Sequence, residues 1–143
     1  MFEFRRATVA DSAVIAAMEK EYIECAWSEN TVREALSDAD TAVYLLIVNG
    51  ETVGYGGLKT VFETAEIYNI AVTAQNRRKG FGKTILAKLC EHAAYSGARE
   101  ILLEVNEHNE AALALYKSFG FKLLNTRKNY YKSGSALVFR KEI

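Results

Sequence analysis

The chain contains no proline, only two cysteines and no net charge, its 18 Lys and Arg residues matching 18 Asp and Glu. Each shortage excludes something. Without proline, glycine and Asx residues have to mark the turns. Cys25 and Cys90 stand in no CxxC or metal-ligand spacing, which argues against a disulfide scaffold or a bound metal and fits a reducing compartment. Cys90 falls on the apolar face of a predicted helix and reads as a core residue. The charge balance leaves no global field to recruit nucleic acid or an anionic membrane. The longest apolar run, Ala42–Val48, is too short to span a bilayer, and MFEFRRAT offers no hydrophobic signal region, so a cytoplasmic location is expected.

What is present is the material of one ordinary globular domain, expected to cover 1–143. At 143 residues, half of them apolar, the chain can bury a core without staples. Its charge is uneven locally. Glu19, Glu21, Glu24, Glu29, Glu34, Asp38 and Asp40 face only Lys20 and Arg33 over 19–40. Residues 77–88 carry Arg77, Arg78, Lys79, Lys83 and Lys88 without an acid. One face suits a cationic partner and another an anionic one; for the acidic segment, solvated helix surface is the alternative.

Periodicity gives the order β-α-α-β-β-β-α-β-α-β-β. Phe2–Arg6 reads as a strand. Thr8 and Asp11 precede Val14, Ile15, Met18 and Tyr22 at helical spacing, and Ser28 caps a shorter helix carrying Val32 and Leu36. Asn49-Gly50 between two apolar runs signals a tight hairpin. A strand Ala65–Val72 leads to a helix over Gly82–Tyr95 with the apolar stripe Ile85, Leu86, Leu89, Cys90 and Ala93, ending at Gly97. Strand Ile101–Val105, helix Asn109–Phe119 and a final hairpin follow. Only the strands flanking the Gly82–Tyr95 helix need a parallel crossover, and the remainder reads as meander. The expected fold is α/β (α+β), a mixed, mostly antiparallel sheet with helices on both faces.

Two features carry chemistry. Glu104 interrupts the apolar strand Ile101-Leu102-Leu103 where another apolar residue is expected, and Tyr116 follows on the next helix. A carboxylate and a phenol at one strand-to-helix junction form a base and acid pair; in an apolar strand the acid's pKa would be raised. Alone, each has a plain structural reading, a salt-bridged strand end and a core aromatic. The other feature is the loop Gln75–Lys83. Glycines at a helix mouth let backbone N–H groups point outward together, and the helix dipole and basic residues add positive potential, which suits pyrophosphate. A Walker loop fails because Arg77 holds the first glycine position; a GxGxxG dinucleotide motif fails because Ile85 follows in place of Gly or Ala.

Arg77-x-x-Gly80-x-Gly82 resembles the (Q/R)-x-x-G-x-(G/A) acyl-CoA loop of the GNAT N-acetyltransferases. With it in place the whole chain is similar to the RimI-type ribosomal-protein alanine N-acetyltransferases. The likeness rests on Cys25-Ala26-Trp27-Ser28, Asn69-Ile70-Ala71-Val72, Leu103-Glu104-Val105, Asn109, Leu115-Tyr116, Gly120-Phe121 and Asn129-Tyr130-Tyr131. The chain departs from the family at Ala26, where proline is usual, and at Asn106, where arginine is common.

The resemblance implies a GNAT fold and acetyl transfer from acetyl-CoA, without a metal, to the N-terminal alanine of a basic small-subunit ribosomal protein. By that likeness Ile70, Ala71 and Val72 present backbone to the pantetheine and thioester. Arg77, Arg78, Lys79, Gly80, Phe81, Gly82 and Lys83 form the pyrophosphate loop, and Asn109 bonds the pantetheine arm. Glu104 is the general base and Tyr116 the general acid, while Trp27, Tyr130 and Tyr131 contact the acceptor. A GNAT for a small amine or another protein N-terminus, and a non-catalytic acyl-CoA-binding module, remain as alternatives.

Overall fold

The computed structural model describes residues 2–143. The strands are β1 (Phe2–Arg6), β2 (Thr41–Val48), β3 (Glu51–Val61), β4 (Thr64–Val72), β5 (Glu100–Asn106), β6 (Lys122–Tyr131) and β7 (Gly134–Glu142). The helices are α1 (Ser12–Tyr22), α2 (Glu29–Ser37), α3 (Phe81–Tyr95) and α4 (Glu110–Ser118). All seven strands join one sheet in the order β1-β2-β3-β4-β5-β7-β6. Among the described residues only β4 and β5 pair in parallel, across the α3 crossover, so the mixed, mostly antiparallel sheet is borne out.

The meander is not. β7 inserts between β5 and β6, and α4 carries the chain out to the sheet edge before β7 returns. Burial explains the exchange. β7 supplies Ala136 and Phe139 to the core, whereas β6, rich in Lys, Arg and Asn, is exposed along nearly its whole length. The more apolar strand takes the inner place and the basic one the edge, where unpaired backbone needs charge to discourage further pairing.

Helices cover both faces. α3 and α4 close the larger core with Ile85, Leu86, Leu89 and Tyr116 over Leu58, Ile67, Ile101 and Leu103. α1 and α2 close a smaller one with Ile15, Met18 and Val32 over Val43, Leu45 and Tyr55. Val14, expected on the α1 stripe, is instead solvent-exposed. Asn49 and Gly50 both have positive φ, +50° and +81°, as a two-residue hairpin requires. Gly56 lets α3 press onto β3: a Cβ there would lie 2.6 Å from Ile85 Cγ2.

One irregularity matters most. The β3–β4 register steps from Leu58↔Ile67 to Gly57↔Asn69, so Tyr68 is an extra residue that bulges from β4. The parallel register of β4 with β5 runs from Thr64↔Glu100 to Ile67↔Leu103 and stops at that bulge. Beyond it the two strands part.

Candidate active site

The parting of β4 and β5 opens a cleft of about 400 Å³. Of the residues singled out in the sequence, Trp27, Ile70, Glu104, Asn109, Tyr116, Tyr130 and Tyr131 all line it. Ala71, Val72 and the Arg77–Lys83 loop lie outside that lining, along the strand and helix that continue from it.

The β4 side is built from backbone. Thr73 N donates to Val53 O at 2.9 Å, so Thr73 faces β3. By the alternation of an antiparallel ladder Ala71 also faces β3, while Ile70 and Val72 turn their N–H and C=O groups toward the gap. Val72 O is taken by Arg77 Nε at 3.2 Å. The Ala71 side chain is buried in the smaller core.

After β4 the chain winds into a loop with Arg78 at φ +64° and Gly80 at φ +81°. Gly80 is the N-cap of α3, and the first helical bond is from Thr84 N to Gly80 O at 3.1 Å. The amides of Phe81, Gly82 and Lys83 therefore have no partner inside the helix and point out of its N-terminus. With the helix dipole they form an anion-binding surface. Arg78, Lys79 and Lys83 are exposed around it. Arg77 is spent locally, because its guanidinium also stacks over Tyr22 at 5.1 Å.

The β5 side carries the titratable groups. Glu104 does not break an apolar row: Ile101, Leu103 and Val105 are buried on one face, and Glu104 points to the other with Leu102 and Asn106. Nor is it an isolated acid in apolar surroundings, since Arg127 Nη1 sits 3.0 Å from its Oε1. Arg127 in turn lies 5.6 Å from the centre of the Tyr130 ring.

Tyr116 is 8% exposed and packs edge-on against Phe121, with 5.9 Å between ring centres. Burial, with a smaller contribution from Tyr131, pushes its phenol up to about 12. Tyr131 is shifted upward too, by burial first and then by Glu104 and Cys25. Tyr131 thus stands close enough to feel Glu104, and Tyr116 feels Tyr131. Asn109 caps α4, its Oδ1 accepting from Ala112 N at 3.2 Å, which leaves the amide NH₂ as its donor toward the cleft.

The third wall holds residues the sequence reading did not single out. Glu24, in the α1–α2 connection, accepts from Ser133 Oγ at 2.6 Å, Ser133 N at 3.3 Å and Asn106 Nδ2 at 3.2 Å. These contacts strap the connection to the β6–β7 turn and hold the Glu24 carboxyl below its usual range, Ser133 contributing most. They also give Asn106 a task that the departure from arginine left open. Glu19, grouped with the surface acids by sequence, is 1% exposed. Its signal was available: it follows Ile15 by four residues and precedes Tyr22 by three, on the buried stripe of α1.

A model of the acetyltransferase (GNAT) family matches residues 9–121. The ribosomal protein bS18-alanine N-acetyltransferase of Escherichia coli K12 is 33% identical over 105 residues, 73% of this chain and 70% of that one. A crystal structure of the ribosomal-protein-S18-alanine N-acetyltransferase from Escherichia coli superposes with a TM-score of 0.92 at 27% identity, covering 100% of this chain and 94% of the other. Arabidopsis thaliana NAA60 in complex with acetyl-CoA shares the fold, with a TM-score of 0.87 at 16% identity over 100% and 99% of the two chains. Splayed strands, a glycine-containing helix mouth and these matches agree, and the chain belongs to the GNAT family of N-acetyltransferases.

Proposed function

We propose that the protein transfers acetyl from acetyl-CoA directly to the α-amine of an N-terminal alanine on a basic small-subunit ribosomal protein, within a ternary complex in the cytoplasm. The unit 1–143 carries both sides of the reaction. The observation that carries the reading is that Glu104 and Tyr116 line one cleft opening where β4 and β5 part. The relatives named for alanine acetylation of bS18 favour the acceptor, and the acidic cleft residues Glu24, Glu66 and Glu104 suit a cationic one.

In this reading pantetheine lies along β4 as an added strand, bonding the gap-side groups of Ile70 and the amide of Asn109, which leaves the Val72 N–H for the thioester carbonyl. The pyrophosphate rests on the Arg78–Lys83 helix mouth, and Arg77 holds that loop to Val72. The acceptor enters past Trp27, Tyr130 and Tyr131. An α-amine titrates near pH 8, so Glu104, directly or through water, completes a deprotonation that is already nearly favourable. The amine attacks the thioester carbonyl, whose oxyanion the Val72 N–H stabilises. The C–S bond then breaks.

Tyr116 meets the departing sulfur as a hydrogen-bond donor. A phenol at about 12 lies about 3 pKa units above a thiol, so complete proton transfer to the thiolate costs about 4–5 kcal/mol. Donation without transfer carries no such cost, and the thiolate takes its proton from the ammonium formed in the attack or from solvent.

The test is acetyl-CoA turnover with a panel of basic peptides differing in their first residue, read by mass spectrometry, with small amines as controls. Acetylation of the alanine-initiated peptide at its α-amine supports the reading. Acetylation of small amines alone overturns the acceptor, and CoA binding without turnover of any amine overturns the catalytic assignment.

A further inference from the structure

Glu19 is a carboxylate buried to 1% exposure, in a chain where nearly all other acids reach solvent. A buried carboxylate persists only when its oxygens are satisfied. Trp27 N donates to Oε1 at 2.9 Å, Asn69 Nδ2 donates to Oε2 at 2.8 Å, and the Tyr55 hydroxyl donates to Oε2. The three donors come from the α1–α2 connection, β4 and β3. Burial and the adjacent carboxylate drive the Tyr55 phenol strongly upward, so it remains a donor.

Two of these partners belong to the cleft. Trp27 and Asn69 both line it, and the Trp27 ring meets the edge of Tyr68, the bulged residue, with 5.1 Å between centres. Glu19 itself does not line it. One buried carboxylate thus fixes the Trp27 backbone on one side and the Tyr68–Asn69 bulge on the other.

We propose that Glu19 is a positioning residue for the acceptor: it sets Trp27 against the β4 bulge as one wall of the acceptor site. The inference rests on the reading of the cleft as an amine acceptor site. Glu19 acts through the hydrogen bonds it accepts and takes no part in proton transfer. That distinction can be read by substitution. In Glu19→Met no strong acceptor remains for the Trp27 N–H. In Glu19→Gln the amide oxygen still accepts from Trp27, while the NH₂ donates to the Tyr55 oxygen and to an Asn69 amide turned to present its oxygen.

Trp27 is the only tryptophan in the chain, so its emission reports this wall alone. The experiment measures Trp27 emission and acrylamide quenching, acetyl-CoA affinity by calorimetry, and KM for an alanine-initiated basic peptide in the full chain. Glu19→Met is expected to expose Trp27, shifting its emission to the red, and to raise the peptide KM about tenfold, as loss of a charge-assisted hydrogen bond does. Acetyl-CoA affinity should stay as in the wild type, and Glu19→Gln should recover most of both changes. An unaltered peptide KM in a folded Glu19→Met, or a Glu19→Gln as impaired as Glu19→Met, overturns the proposal. If Glu19→Met fails to fold, wild-type Trp27 emission decides: it must change on saturation with peptide, and constancy overturns the proposal. If no peptide is turned over, the functional reading has failed. The emission of Glu19→Met against wild type then judges the positioning role alone, and identical spectra overturn it.

Discussion

The two sides of the cleft are made in different ways. The β4 side is one continuous segment, Ile70 through Lys83, and it offers backbone: gap-facing strand groups, then the open amides of a helix mouth. The opposite side is assembled from side chains far apart in sequence. Glu24 reaches Ser133, Arg127 reaches Glu104, and Asn106 reaches Glu24. The lesson is a division of labour. Backbone recognition depends on strand register and φ angles and tolerates changes of side chain, so it suits an invariant ligand such as a nucleotide-bearing thioester. Side-chain recognition is altered by single substitutions and suits an acceptor that differs between relatives.

Substitutions can break or sharpen this contrast. The largest effect is expected where the two sides meet. Tyr116→Phe keeps the ring packed on Phe121 but removes the hydrogen bond offered to the departing sulfur, so kcat should fall about 100-fold or more. Calorimetric affinity for acetyl-CoA should not change. Because the wild-type phenol is raised to about 12, it stays protonated as pH rises and is lost only above that value. The pH–rate profile should therefore show no alkaline fall near the ordinary phenol value of about 10. Such a fall would contradict the raised phenol, and an unchanged kcat in Tyr116→Phe would remove Tyr116 from the chemistry.

A smaller, one-sided effect is expected at Gly80, whose φ of +81° disfavours any side chain although space is free around it. Gly80→Ala should weaken acetyl-CoA about tenfold, since a left-handed residue with a Cβ costs about 1–2 kcal/mol. Peptide KM at saturating acetyl-CoA should be unaltered. The smallest effect belongs to Glu24→Ala, which cuts the strap between the α1–α2 connection and the β6–β7 turn. Exposed hydrogen bonds of this kind contribute about 1 kcal/mol, so peptide KM should change a few-fold and acetyl-CoA affinity not at all. If Gly80→Ala and Glu24→Ala each disturb both ligands equally, the two sides are not separate.

The same contrast decides what was legible in the sequence. The β4 side could be read directly, because Arg77, Gly80 and Gly82 announce a helix mouth by local conformational need, and Asn49-Gly50 announces a hairpin in the same way. Ile85, Leu86 and Leu89 were readable from helical period. Strand order was not, since choosing β7 over β6 beside β5 depends on comparing the burial of two strands that both look acceptable alone. What Glu19 and Glu24 hold was hidden for another reason, although the place of Glu19 on the α1 stripe signals its burial. Their meaning lies in partners up to 109 residues away, and a carboxylate in an acid-rich stretch looks like surface until its donors are placed. Glu104 stands out in the sequence, and the salt-bridged strand end that is its plain reading is what forms. Its partner Arg127 does not stand out, because it comes from β6, whose place at the sheet edge depends on that same comparison of burial.

Hydrogen–deuterium exchange on the protein alone, with coenzyme A, and with an alanine-initiated basic peptide tests the two-sided cleft most directly. Coenzyme A should protect amides over 70–83 and leave 24–27 and 130–135 unchanged, while the peptide should protect the latter segments. Protection by coenzyme A confined to 24–27 and 130–135, with none at the α3 mouth, would contradict the account.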